Sequence, residues 1–139
     1  MTDLQTAIAN LDGHTICLCK DGNIITDCKR GIAPMADFLA EGRNLRGYSV
    51  ADLIVGRAVA LLFVKAGIKE VYAKTISEGG AEVLRSRGIP YVYETLTNKI
   101  INRQGTDICP MERTVQGVDD PDEAYLRIRG ELAKIRNRQ

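Results

Sequence analysis

Histidine, cysteine and long apolar runs are all scarce in this 139-residue chain, and each scarcity excludes something. Cys17, Cys19, Cys28 and Cys109 are too few to staple a mini-protein, and a chain of this length needs no staples. The start, Met1-Thr2-Asp3-Leu4-Gln5, has an acid and no apolar run, so no secretory leader is expected and cytoplasm is the expected location. The longest apolar stretch, Leu53 to Ala66, is interrupted by Arg57 and falls short of the about 20 residues of a membrane span. It reads as a buried core helix. Charge of one sign is missing as well. Nineteen Lys+Arg oppose eighteen Asp+Glu, giving a formal charge of +1 and no global reason to bind nucleic acid or an anionic membrane. Arg127, Arg129, Lys134, Arg136 and Arg138 gather near the C-terminus. Without interleaved aromatics they read as a solvated face.

What is present is a globular composition, 45% hydrophobic and 27% charged, with no repeat, linker or low-complexity segment. The expectation is one domain over residues 1–139, long enough to bury about two-thirds of its unfolded surface. Thr2 to Leu11 reads as a short helix. Thr15–Lys20 and Asn23–Thr26 read as strands, and Asp21-Gly22 between them is a strong hairpin signal. Pro34 opens a helix to about Glu41. Ser49-Val50-Ala51-Asp52 has the form of a capping box, predicting a helix that runs to Ala66. Strands over Glu70–Ile76 and Ile89–Leu96 then alternate with helices ending near Arg87 and starting at Cys109 and Asp120. Such alternation predicts an α/β domain with a partly parallel sheet and helices on both faces.

Several residues could carry chemistry. A zinc deaminase needs His-x-Glu and Pro-Cys-x-x-Cys, and neither occurs. The single His14 and the pair Cys17/Cys19 point to opposite faces of a strand, and two ligands do not close a tetrahedral site. Cys109, followed by Pro110 and Glu112, has the position of a helix N-cap, where a thiol can be activated; Glu112 opposes that activation, or completes a cap. Arg57 breaks an apolar helix one residue after Gly56 and must be paired, snorkelled or aimed into a cavity. Glu112 is its expected partner and Glu78 the second choice. Ser77-Glu78-Gly79-Gly80 lies where a strand ends and a helix begins, a place where α/β sheets collect ligands, yet it matches no nucleotide-loop motif. Asn102 and Arg103 before Gly105 make a turn or a ligand contact.

The block from Asp52 through Gly56-Arg57 to Ala60, with Asn102-Arg103-Gln104-Gly105 and Cys109-Pro110-Met111-Glu112, resembles an uncharacterised prokaryotic family of unknown function. That family is grouped with the cytidine deaminase-like fold, and the resemblance spans about Thr15 to Ile128. It implies a three-layer α-β-α sandwich with a mixed sheet. In it the Asp52–Ala66 and Cys109–Gln116 helices would take the places of the two zinc-bearing helices. It names no reaction, so whether the chain is an enzyme stays open. Arg57, Glu78, Asn102, Arg103, Cys109 and Glu112 are ligand-binding candidates, with no metal and no cofactor expected. The leading expectation is a zinc-free domain for a small polar or anionic ligand, nucleotide-like among others. The alternative is an interaction or regulatory module with a filled pocket. A small molecule is the expected partner, membrane and nucleic acid are not, and a homo-oligomer is allowed.

Overall fold

The computed structural model describes residues 1–101 and 109–137. Helix α1 (Asp3–Ala9) begins at Thr2, whose hydroxyl accepts the Gln5 N–H while the Gln5 side chain accepts the Thr2 N–H. This is a reciprocal capping box. Strands β1 (Ile16–Lys20) and β2 (Asn23–Asp27) pair antiparallel around Asp21 and Gly22, both at positive φ. That backbone suits a two-residue hairpin, which is why Asp-Gly was informative.

The chain continues through α2 (Ala33–Ala40), β3 (Ser49–Val55), α3 (Arg57–Ala66), β4 (Glu70–Ser77), α4 (Glu78–Ser86) and β5 (Tyr91–Thr97). Two further helices, α5 (Pro110–Thr114) and α6 (Pro121–Asn137), complete it. The sheet order is β2-β1-β3-β4-β5. Strand β1 runs antiparallel to β2 and β3, whereas β3, β4 and β5 are mutually parallel, so the sheet is mixed and the class is α/β.

One expectation fails here. Ser49 to Asp52 does not cap a helix; it opens a strand, and the helix begins only at Arg57. Ser49 is fully buried and its hydroxyl donates to Glu70 at 2.6 Å instead of to a helical amide. The cause is the position of β3 at the centre of the sheet. Buried on both faces, such a strand is apolar without alternation and cannot be told from a core helix by period.

The two faces of the sheet are covered unequally. Ile16, Leu18, Val50, Val71 and Ala73 face the large core shared with α2 to α6. Among the described residues Cys17, Cys19 and Ala51 face α1, through Ala7 and Leu11. These are the three layers. Toward the carboxyl end of β3 the continuous burial lapses: Ile54 is 53% exposed, while Val55 beside it is fully buried.

Candidate functional site

The carboxyl ends of β3 and β4 and the N-termini of α3 and α4 meet at Gly56 and Gly80. A methyl group on Gly80 would lie 2.8 Å from the Val55 carbonyl oxygen and 3.1 Å from the Gly56 carbonyl group. Backbone cannot yield there, so only glycine lets α4 start against the β3–α3 turn. Gly56 is constrained from the other side, since its methyl group would fall 2.1 Å from Oε1 of Glu112 and 2.9 Å from Cγ1 of Ile100.

Glu112 explains the crowding. Its Oε1 accepts the Arg57 N–H at 2.7 Å and its Oε2 accepts the Ala58 N–H at 2.8 Å. Gly56, the N-cap of α3, has no side chain to offer, so a carboxylate from α5 satisfies the free amides at the positive end of the α3 dipole. Burial pushes the Glu112 carboxyl above its ordinary range; the two amides and the Arg57 charge pull the other way.

Arg57 and Glu112 are therefore neighbours, but the expected pairing of their side chains does not form. The Arg57 guanidinium turns to the α5–α6 connection. Its Nε donates to the Val115 carbonyl at 3.3 Å, and its Nη2 donates to the Val118 carbonyl and to Asp119 Oδ1 at 2.7 Å. Arg87 adds a bond to the Asp119 carbonyl at 2.5 Å. Between them remains a cavity of about 50 Å³ lined by Arg57, Glu82, Arg87 and Asp119 among others.

The other candidates are placed as follows. Glu78 is exposed at the first position of α4, while Ser77 before it caps the helix by accepting the Gly80 N–H at 3.0 Å. Cys109 is half-buried at the N-cap position of α5, and its side chain makes no capping bond. Its backbone N–H donates to Ile100 at 2.9 Å, and Glu112 serves α3 rather than a cap on its own helix. Asn102 and Arg103 lie outside the described residues. Arg57 and Glu112 thus meet at the α3 N-terminus, Cys109 stands at the head of α5, and Glu78 is exposed to solvent.

Asp52 has the spacing of a capping acid but caps no helix. It is 6% exposed in the middle of β3, in register with Ile16 on one side and Ala73 on the other. No cation pairs with it among the described residues. Burial raises its carboxyl to about 8, opposed by hydrogen bonds from the Ile54 and Leu53 amides. An acid inside the apolar run Ser49–Val55 was the signal that could have marked it. Among the described residues no group of three or more His, Cys, Asp or Glu is placed to hold a metal ion.

Comparisons with known proteins add the following. A family model described as a domain of unknown function (DUF1893) matches residues 6–132. The chain is similar to the crystal structure of a DUF1893 family protein from Thermotoga maritima. That match has a TM-score of 0.83 at 25% identity, covering 96% of this chain and 91% of that one. A weaker likeness is to a diaminohydroxyphosphoribosylaminopyrimidine deaminase/5-amino-6-(5-phosphoribosylamino)uracil reductase, also from Thermotoga maritima. There the TM-score is 0.45 at 16% identity, over 80% of this chain and 39% of that one. No curated protein sequence matches this chain.

Proposed function

The chain belongs to the DUF1893 family, and from that premise we propose that it is a non-catalytic interaction or regulatory module whose pocket is filled by its own side chains. The observation that carries this reading is the Glu112 carboxylate on the Arg57 and Ala58 amides. A helix N-terminus of this kind is where an anionic ligand would bind; here a residue of the same chain is the anion. Arg57, the cation that could have recruited a ligand, is spent on Val115, Val118 and Asp119. A cavity of about 50 Å³ is well below the roughly 300–1,000 Å³ of small-molecule sites. In the same reading the protein acts in a prokaryotic cytoplasm without zinc. Its single histidine, its missing deaminase motifs and its four free cysteines support this. Among the described residues no helix is long and apolar enough to cross a membrane.

A second reading, a small polar ligand, is favoured by Asp52, a buried carboxyl in mid-β3 with no cation among the described residues. One experiment separates the two. A thermal-shift screen of nucleotides and metabolites reads ligand binding as added stability, and amide NMR locates it. The module reading expects no stabilising compound. A compound that raises the melting temperature and moves the Arg57 and Ala58 amide signals would overturn it in favour of the second.

A further inference from the structure

Helix α6 carries a face that the chain's own packing leaves unexplained. Its buried side is Ala124 and Ile128, with Leu132 and Ile135 half-buried against the core. On another side Leu126, Gly130, Ala133 and Asn137 follow at helical spacing, all exposed, with Leu126 at 68%. Gly130 lies inside the helix, where glycine is a poor helix former. A methyl group there would meet nothing within 4 Å. No contact among the described residues requires this glycine, and bare backbone at that point admits the close approach of another chain.

Beside this row a groove of about 340 Å³ runs between α6 and α2, with Ala36, Ala40 and Ala133 on its walls and Arg129, Arg136 and Asp37 around it. The charges do not balance. Asp37 is taken by Arg136 at 3.1 Å and by Lys29 at 3.5 Å. On the same helix Arg127 has Glu123, and Lys134 has Glu131. Arg129 has no carboxylate among the described residues; its guanidinium lies 5.7 Å from the Tyr125 ring centre. The groove therefore combines small apolar walls with charged side chains and carries an uncompensated cation on its rim.

We propose that this groove and the adjoining α6 row dock an acidic amphipathic segment of a partner protein. Its apolar side chains would lie on Ala40, Ala133 and Leu126, its backbone would pass Gly130, and a carboxylate would meet Arg129. The inference rests on the module reading, but its test leaves Glu112 untouched. Small apolar walls accept aliphatic side chains better than phosphates, so a protein segment fits where a nucleic-acid backbone does not.

The test titrates isotope-labelled protein with a synthetic amphipathic helix of Leu and Glu, with its Lys-for-Glu counterpart, and with a single-stranded oligonucleotide. The Glu helix is expected to move amide signals in 36–40 and 126–137, and the other two probes are not. Arg129→Glu should weaken binding about tenfold, the worth of one good contact. Gly130→Ala should raise the melting temperature of the free protein and still weaken the complex. The proposal is overturned by silence of those signals with the Glu helix, by equal response to the Lys helix or the oligonucleotide, or by unchanged affinity in a folded Arg129→Glu protein. The module reading fails on different signals, those of Arg57 and Ala58 with a metabolite.

Discussion

Replacing Glu112 with Ala removes the carboxylate that satisfies the first two amides of α3. Two hydrogen bonds to a charged acceptor are lost, at 2.7 and 2.8 Å, each contributing about 1.5–3 kcal/mol. Two terms reduce the loss: water can enter to solvate the freed amides, and the cost of burying the carboxylate disappears. The net expectation is a destabilisation of about 2–4 kcal/mol near neutral pH, a large fraction of a domain's stability. Glu112→Gln keeps one acceptor but turns an NH₂ group toward the other amide, so about half of that loss is expected. Urea denaturation measures both, with the midpoint falling and the slope unchanged. Acetate supplies a detached carboxylate to the emptied site, so it should stabilise Glu112→Ala more than the native protein. A Glu112→Ala protein with the native midpoint, and no differential response to acetate, would refute the capping role.

Asp52 predicts an unusual pH profile. Its folded pKa, raised to about 8 by burial, lies above the unfolded value near 3.8, so the fold favours the neutral acid. The stability it contributes is complete below about pH 4 and is lost as pH rises toward 8, at roughly 1.4 kcal/mol per unit. Asp52→Asn should flatten that slope and exceed the native protein in stability at neutral pH; equal slopes in urea melts across the range rule this out. Gly56→Ala should destabilise severely, because its methyl group would lie 2.1 Å from Glu112 Oε1 and displace the cap. With the carboxylate already removed, the same substitution in Glu112→Ala should cost much less, leaving mainly the Ile100 contact at 2.9 Å. Additive losses in the double variant contradict the account.

Local chemistry made the edges of the fold legible and hid its centre. Asp21-Gly22, Pro34, Gly67 and Gly88 each impose a backbone conformation within a few residues, and the hairpin, α2 and the ends of α3 and α4 followed from them. Strand β3 was hidden because its partners, β1 and β4, are remote in sequence. Ser49 and Asp52 have the spacing of a capping box, yet the ladder on both sides decides the conformation. The site followed the same rule. That Arg57 and Glu112 belong together was legible from two anomalies of charge. Which atoms meet was not, because the Arg57 amide becomes available only when the helix starts there rather than at Asp52. Asp119 and the Val115 and Val118 carbonyls carry no signature; a loop acceptor is chosen by geometry alone.

The unequal covering of the sheet has a consequence for how the molecule opens. Among the described residues one face is held by five helices and the other by α1, a helix of seven residues, too short to persist in water once detached. Its moorings are Ala7 and Leu11 and the Asp3 carboxylate, which accepts the Asp21 N–H at 3.1 Å. Release of α1 therefore exposes a handful of side chains while the main core stays intact, a sub-global event far below global unfolding in free energy. Cys17 and Cys19 lie directly beneath it, fully buried and with thiol pKa values raised first of all by that burial. Their alkylation under native conditions thus follows a local gate, while the amides of β3 and β4 exchange only when the whole domain does. The protein has two clocks, and a pair of buried thiols reads the faster one.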